Sequence, residues 1–319
     1  MATKTPTLHK PNPINALKSL KIFKPNPNKQ SLAPGRLPCR RYTRTKAGDF
    51  VMFVMLAAAG LFTMLPLIYA VATSFKPLDE LLIFPPRFLV RRPTVNNYLV
   101  LPDLMASLKV PLSRYIFNGV SNAVITTSVY IVVSSMAAYV LCKGNFKHKN
   151  AIFMIVQFSL MFNGITLGIP RYLIYSYLGM IDTYWVYILP HMAGTLGVFL
   201  MKQYIEGYVP DAFIEAAKID GAGTFRIFWT IVMPIVKPAW LTLTLFTFRD
   251  VWAEVPAGTI FTEQLKTLPQ IMGQITAGGT ARAGSAMAIT VIMMIPPILV
   301  YLISQSNVIE AMSSAGIKE

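Results

Sequence analysis

Long apolar runs without charged residues alternate with polar connections over most of this chain. A helix needs about 20 apolar residues to cross the roughly 30 Å hydrocarbon core of a bilayer. The pattern predicts an all-α membrane protein with six transmembrane helices, at residues 50–75, 115–142, 150–170, 183–201, 236–255 and 284–309. We expect the third helix to continue past Arg171 towards Tyr177, and the fourth to be interrupted at Pro190 and His191.

The polar stretches predict the domain organisation. Residues 1–48 are expected to form a basic, largely disordered tail, residues 49–309 the six-helix domain, and residues 310–319 a short C-terminal tail. In this topology nineteen Lys and Arg residues lie on the side of the two termini and nine on the opposite side. Because positive charge accumulates on the cytoplasmic side, we expect both termini to be cytoplasmic.

Composition narrows the function classes. Charged residues make up 13% of the 319-residue chain, about half the share of a typical soluble domain. The net charge of +15 comes mainly from residues 1–49, which hold eleven basic residues and one acid. That placement fits membrane orientation better than nucleic-acid binding. The sequence has no zinc-ligand spacing, no phosphate-binding loop and no nucleophile–base set. We expect no catalytic site, metal site or cofactor in this chain.

The polar segment at residues 205–238, hereafter the EAA segment, carries the most specific pattern. It contains Glu215-Ala216-Ala217, three residues, Gly221, nine residues, and then Ile231-Val232-Met233-Pro234. Asp211 suits the first turn of a helix, where a negative charge complements the helix dipole. Gly221 accepts the left-handed conformation that ends helices. The segment therefore predicts two short helices joined at a glycine elbow.

This spacing resembles the EAA loop of permease subunits from binding-protein-dependent ABC importers, with Met233 where the family usually has Leu. The resemblance implies the type I ABC importer permease fold and a bacterial inner or plasma membrane location. It also implies a cytoplasmic loop that docks into a groove of an ATPase subunit. On this resemblance the ATPase-coupling residues are Glu215, Ala216, Ala217, Asp220, Gly221, Ile231 and Pro234.

Three more stretches look like parts of carbohydrate-importer permeases: residues 117–139, 182–190 and 305–319. The last is similar to the tail of the smaller permease of maltose transporters, which reaches the ATPase dimer interface. Gln305 and Lys318 stand in matching places, although four positions from 311 to 319 depart from the pattern. Lys318 is therefore a further candidate for ATPase contact.

The resemblance also implies the partners of this chain. They are a second and non-identical permease subunit, two ATPase subunits that bind ATP and Mg²⁺, an extracytoplasmic solute-binding protein and membrane lipid. Nucleic acid is not among them. The chain itself would form part of the path for a sugar or oligosaccharide.

The fifth predicted helix carries charges that an apolar helix normally excludes. A charge at the bilayer centre costs about 2.5–3.5 kcal/mol on insertion scales, so such residues face a cavity or a partner. Asp250 and Glu254 are four residues apart and share a helix face, whereas Arg249 points elsewhere. Either this face borders the solute path, with Trp252 stacking on sugar rings, or its charges bind the partner permease. The candidate path residues are Arg249, Asp250, Trp252, Glu254, Asn163 and Tyr172.

Two other kinds of transporter are alternatives. The same fold could import a polyamine or an anion, and the arginines at 87, 91, 92 and 171 on the predicted outer side are a weak indication of acidic solutes. An ion-coupled secondary transporter would show internal repeats and broken helices around a midplane ion site. The sequence shows no convincing repeat, and that class leaves the EAA pattern unexplained.

Overall fold

Helices are the regular elements of the part of the chain that this computed structural model describes, residues 46–106, 109–162, 166–256 and 258–315. They are α1 Lys46–Ser74, α2 Leu78–Leu81, α3 Asn96–Ala106, α4 Leu112–Lys143, α5 Lys149–Ser159, α6 Gly168–Tyr177, α7 Trp185–Met192, α8 Thr195–Tyr208, α9 Asp211–Ile219, α10 Thr224–Ile235, α11 Lys237–Ala253, α12 Leu268–Thr276 and α13 Ala283–Ala315. The predicted tail at residues 1–45 lies outside the described residues.

The chain divides into two compact units, Met1–Ala59 and Gly60–Glu319. In the first unit the structure describes the start of α1, a helix whose side chains are largely exposed there. The second unit contains every other helix and both regions discussed below.

The long helix α4 lies at the centre of the second unit, in contact with α7, α8 and α11. Its buried face combines the aromatic ring of Tyr130 with small residues such as Ser134, Ser135 and Ala138. Small side chains let neighbouring helices approach closely where no hydrophobic effect drives them together. The prediction of a helix at residues 115–142 is confirmed.

The first, fifth and sixth predicted helices are also confirmed, as α1, α11 and α13. α11 packs on both α4 and α13. α13 continues to Ala315, so the predicted C-terminal tail begins within this helix, and its boundary at residue 310 stays a prediction. Lys318 lies outside the described residues.

The third predicted helix is not continuous. α5 ends at Ser159, Leu160–Phe162 form a turn, and a new helix α6 begins at Gly168. Pro170 stands in the first turn of α6, where its missing N–H leaves no intrahelical bond unmade. An apolar run of the right length therefore contains the end of one helix and the start of another, and our prediction of one helix through to Tyr177 was wrong.

The predicted interruption of the fourth helix is present but displaced. Pro190 lies inside α7, and the break follows at Ala193 and Gly194 before α8 begins. A Cβ atom on Gly194 would lie 2.5 Å from Cε2 of Tyr130. Close packing against α4 therefore accounts for glycine at this break.

By length and composition, three described helices are able to cross a membrane, at Ala47–Ser74, Leu112–Lys143 and Thr280–Gln305. A fourth is added if α10 and α11, which are bent by 80°, count as one span. The third and fourth predicted spans are each divided into two shorter helices. The number of six transmembrane helices and the cytoplasmic position of both termini therefore stay predictions.

Candidate functional site

The EAA segment forms two helices around a glycine elbow, as its sequence predicts. Gly221 has a φ of +78°, and it follows Asp220, the residue that caps α9. Backbone N–H groups of Gly221 and Ala222 donate to the carbonyl groups of Lys218 (3.0 Å) and Ala217 (2.9 Å). This pair of bonds is the Schellman motif, in which the left-handed residue is usually glycine. The elbow is therefore fixed by backbone geometry.

One face of α9 is packed and the other is open. Ile214 and Ala217 are buried, whereas Glu215 and Ala216 are exposed. Exposed apolar side chains adjoin Glu215 along the segment, with exposed fractions of 53% for Phe213, 86% for Ile219 and 65% for Phe225. Several large apolar side chains exposed in one polar segment favour an interaction surface. We call these five exposed residues the α9 surface.

Helix α10 joins the elbow to α11. Its turn at Phe228–Val232 is π-helical, and the ring of Phe228 packs 5.6 Å from that of Tyr139 on α4. Ile231 is half-buried and Pro234 is exposed. An 80° bend then leads into α11. The coupling residues predicted in the second half of the motif thus lie on a helix that leads directly to α11.

A lysine at the end of α4, Lys143, connects this helix to the start of α9. Lys143 Nζ donates to the carbonyl of Val209 at 2.7 Å and to Oδ1 of Asp211 at 2.6 Å. The Lys143 ammonium holds the pKa of the Asp211 carboxyl below its usual range. The C-terminal end of α4 and the N-terminal end of α9 are therefore tied together.

A second region, the polar cavity, lies between α4, α6, α7 and α11. Its volume is about 230 Å³, and its polar lining residues are Tyr130, Arg171, His191, Thr247, Asp250 and Glu254. A smaller cavity of about 160 Å³ shares Arg171 and Glu254 with it and also contacts Tyr172 and Tyr175. Arg171 and Glu254 therefore stand where the two cavities adjoin.

Helix ends and breaks place these side chains. Glu254 follows the last turn of α11 with extended backbone angles, and His191 lies in the last turn of α7, directly before the break between α7 and α8. Tyr130 supports that break, because its hydroxyl accepts a hydrogen bond from the Gly197 backbone N–H at 2.6 Å. The polar cavity thus forms where regular helices stop.

The candidate path residues fall in different places. Asp250 and Glu254 line the polar cavity and Tyr172 lines the smaller one. The Arg249 side chain is 71% exposed and lies beside Asp250, with Nε 3.3 Å from Oδ1. Asn163 lies outside the described residues.

Trp252 lies in the protein interior, away from both cavities. It is 4% exposed, its Nε1–H donates to the Met293 carbonyl at 2.9 Å, and its ring stacks on that of Phe248. A Cβ added to Gly119 on α4 would meet its ring at 3.0 Å. These contacts join α11 to α4 and α13, and they leave no open ring face for the sugar stacking that one of our two alternatives assigned to Trp252.

The sequence reasoning missed Arg171 and His191 as members of one site. It placed Arg171 on the outer side and named His191 only at the interruption of the fourth helix. The available signal was that each is a basic residue directly following a proline within an apolar run. Proline at such a position often accompanies a helix end or break.

The long apolar helices, the α9 surface and the polar cavity between helices are features of a helical membrane transport protein. A family model for the inner membrane component of binding-protein-dependent transport systems matches residues 104–314. The chain belongs to this family, so the family indicated by the EAA pattern is confirmed. It is accordingly a multi-pass protein of a bacterial membrane.

Curated relatives agree with this assignment. Protein LplC of Bacillus subtilis is 29% identical over 301 residues, covering 86% of this chain and 97% of LplC. The sn-glycerol-3-phosphate transport system permease protein UgpE of Yersinia enterocolitica is 29% identical over 265 residues, with 81% and 93% covered. The melibiose/raffinose/stachyose import permease protein MelC of Bacillus subtilis is 28% identical over 209 residues, with 63% and 76% covered.

A solved structure shares the fold. It comes from a bacterial ABC transporter involved in the import of the acidic polysaccharide alginate. The match has a TM-score of 0.65 at 21% sequence identity, and it covers 83% of this chain and 99% of the other. At that identity the likeness concerns the fold alone.

Proposed function

We propose that this chain is one of two permease subunits of an ATP-driven importer that carries a saccharide delivered by an extracytoplasmic binding protein. The observation that supports the proposal is the α9 surface, whose exposed apolar side chains lie on both sides of the Gly221 elbow. In this proposal α9 docks on a partner ATPase subunit, which binds ATP and Mg²⁺ and hydrolyses the nucleotide. The second permease subunit completes the solute path.

Two helices connect the α9 surface to the polar cavity. α10 and its 80° bend lead into α11, which carries Thr247 and Asp250 at the cavity wall. Lys143 ties the start of α9 to α4, which carries Tyr130 at the same wall. Displacement of α9 by the ATPase would therefore move two walls of the cavity together. This supports a mechanical coupling between nucleotide binding and access to the solute path.

The cavity chemistry favours a saccharide over a phosphorylated or other strongly anionic solute. One guanidinium, Arg171, stands among two carboxylates, Asp250 and Glu254, so the wall has no excess positive charge. Carboxylates, hydroxyls and a guanidinium supply both acceptors and donors for sugar hydroxyl groups. Several relatives bear saccharide names, MelC and the polygalacturonan/rhamnogalacturonan permease YtcP among them. We accordingly propose an oligosaccharide as the solute.

Purification from native membranes tests the assembly. The tagged chain, extracted in mild detergent, is expected to bring with it an ATPase and a second permease, both identifiable by mass spectrometry. Glu215→Lys reverses a charge at the centre of the α9 surface and should reduce ATPase recovery at least tenfold. Glu206→Lys makes the same charge change on α8, where Glu206 is 58% exposed in a pair with Lys202, and should leave recovery unchanged.

Two results would contradict the proposal. The tagged chain recovered without an ATPase would support the ion-coupled secondary transporter. Equal ATPase recovery with Glu215→Lys and wild type would remove the α9 surface as the docking site. For the solute, the purified complex in proteoliposomes is expected to hydrolyse ATP faster when its binding protein and an oligosaccharide are added. The same stimulation by sn-glycerol 3-phosphate alone would contradict the saccharide assignment.

A further inference from the structure

We propose that residues 82–92, between α2 and α3, bind the phosphate groups of anionic phospholipids at the membrane surface where α1 ends. We call these residues the α2–α3 segment. The membrane location of this family and contacts within this chain support the assignment. Neither the solute nor the ATPase takes part, so this lipid site goes beyond the proposed function and is independent of it.

One aromatic pair places the α2–α3 segment at the depth of the membrane surface. Helix α1 is able to cross a membrane over Ala47–Ser74, 28 residues, or about 42 Å at about 1.5 Å per residue. That length matches a bilayer with its headgroup regions, about 40–45 Å. The ring of Phe88 packs 5.6 Å from that of Tyr69, which lies five residues before the end of α1 and so about 7 Å below it. The segment therefore folds back beside α1 instead of extending away from the bilayer.

Two buried charged side chains hold the segment in this position. The Lys76 ammonium donates a hydrogen bond to the backbone carbonyl of Arg87, and the backbone N–H of Arg91 donates to Oε1 of Glu80 at 2.9 Å. Both Lys76 and Glu80 are buried. Hydrogen bonds to charged groups are stronger than those between neutral groups. The backbone of the segment is therefore fixed, and its outward side chains keep a defined arrangement.

The outward side chains of the segment combine large apolar groups with arginines. Phe84 is 91% exposed and Leu89 is 67% exposed. The other exposed apolar side chains are Leu82, Ile83 and Phe88, and the exposed arginines are Arg87, Arg91 and Arg92. Apolar groups left in water lose the stabilisation that burial provides. At a membrane surface they enter the boundary of the acyl chains, while the charged ends of the arginines reach the phosphates.

The charges of the segment favour an anionic lipid over a neutral one. Arg92 pairs with Asp79, and the two buried charges, one ammonium and one carboxylate, offset each other. The side chains of Arg87 and Arg91 have no ion pair among the described residues, so two positive charges remain. A guanidinium binds a phosphate group through two parallel hydrogen bonds. Only a lipid with net negative charge also neutralises the two arginines.

Position identifies lipid as the source of the phosphate. In the sequence, the arginines at 87, 91, 92 and 171 were a weak indication of acidic solutes. Arg171 does line the polar cavity, but the other three are not among the residues that line it. They belong to a segment that packs beside the end of α1. We therefore assign these three arginines to the membrane surface.

Fluorescence quenching in nanodiscs tests the lipid contact. The full chain, purified with its native partner subunits, carries Phe84→Trp as a reporter, and the wild-type protein gives the background of the other tryptophans. Because Phe84 is almost fully exposed, an indole there should leave the fold unchanged. Brominated acyl chains quench an indole that touches them. We expect a relative binding constant at least threefold higher for brominated phosphatidylglycerol than for brominated phosphatidylcholine, because each surface arginine attracts anionic lipid.

Arginine variants separate the charge from the apolar contact. Arg87→Gln combined with Arg91→Gln should bring the ratio of the two binding constants close to one, while the reporter stays quenched. Arg282→Gln is the matched control, because it removes an exposed arginine just before α13. It should leave the ratio unchanged.

Three results would overturn the lipid site. A reporter that neither brominated lipid quenches would show that the segment does not lie at the membrane surface. Equal quenching by the two lipids would remove the phosphate contact, and so would a ratio that the double substitution does not alter. These measurements use neither solute nor ATP, so the lipid site can fail while the proposed function holds, and the proposed function can fail while the lipid site holds.

Discussion

The EAA segment and the polar cavity differ in how far apart in the sequence their parts lie. The elbow of the EAA segment is made by residues within five positions of each other, since Gly221 and Ala222 bond back to Lys218 and Ala217. The polar cavity brings Tyr130, Arg171, His191 and Glu254 together from four separate stretches. A local motif can be recognised from spacing, whereas a cavity is defined by how helices stop and pack. Substitutions in the two regions should accordingly have different effects, on coupling at the elbow and on stability at the cavity.

The largest effect is expected at the elbow, where a change should uncouple the protein without unfolding it. Gly221→Val places a β-branched residue at a φ of +78°, and a left-handed conformation costs an ordinary residue about 1–2 kcal/mol. No atom lies within 4 Å of the Cβ position, so the penalty is conformational. We expect ATP-driven uptake in proteoliposomes to fall more than tenfold while the protein stays inserted.

Gly221→Asn is the matched control, because asparagine tolerates the left-handed region. It should retain most of the uptake and most of the bound ATPase. If the two variants transport at the same rate, the backbone conformation of the elbow is not what couples α9 to the ATPase.

The next largest loss of uptake is expected from a substitution that tests whether α4 positions the EAA segment. Lys143→Met keeps the length of the apolar stem but removes the ammonium, which leaves the Val209 carbonyl and Asp211 without this donor. An unsatisfied buried acceptor costs about 1–3 kcal/mol. We expect a few-fold loss of uptake with normal membrane insertion. Lys147→Met removes an exposed lysine from the same connection and should have no effect, so an equal loss from both would point to general charge rather than to this contact.

A substitution at the polar cavity should lower the stability of the protein more than it affects coupling to the ATPase. Gly194→Ala would bring a methyl group to 2.5 Å from Cε2 of Tyr130, and overpacking of this kind typically costs about 1–3 kcal/mol. The thermal transition of the detergent-solubilised protein should fall by several degrees. Gly273→Ala on α12 has open space around its Cβ and should be neutral or stabilising. Equal behaviour of the two variants would show that Tyr130 does not pack closely at the helix break.

How much of each region the sequence predicts depends on how far apart in the sequence the parts of that region lie. The stop at Gly221 and the two helices around it were predicted because capping depends on neighbouring residues. The long helices α1, α4, α11 and α13 were predicted because an unbroken apolar run of sufficient length has few other solutions in a membrane.

The breaks and the cavity could not be predicted in the same way. Apolar length does not reveal where hydrogen bonding within a helix stops, so the end of α5 at Ser159 was missed. Glu254 and His191 lie 63 positions apart in the sequence, and no local signal relates them. The surroundings of Trp252 could not be predicted from its sequence neighbours either, because the groups that contact its ring lie on α4 and α13.

The smallest effect is expected in the turn between α6 and α7, which is joined to the loop after α11. Asp182 accepts hydrogen bonds from the backbone N–H groups of Phe261 (3.0 Å) and Thr262 (2.8 Å), and also from the Thr262 hydroxyl. These bonds, the one from the Thr262 hydroxyl foremost, hold the pKa of the Asp182 carboxyl below its usual range. The carboxylate therefore stabilises the folded protein above the pKa of an unfolded aspartate, about 4, and the contribution is lost as the pH falls through the lower folded value.

Asp182→Asn tests this contribution with little change of shape, because asparagine tolerates the φ of +61° found there. The variant loses the charge, and hydrogen bonds to charged groups are worth about 1.5–3 kcal/mol at most when well shielded. At this partly exposed turn we expect a decrease nearer 1 kcal/mol at neutral pH and a weaker loss of stability on acidification. Asp103→Asn, at an exposed position of α3, controls for the removal of one carboxylate. A parallel acid dependence in wild type and Asp182→Asn would show that these bonds do not favour the ionised carboxylate.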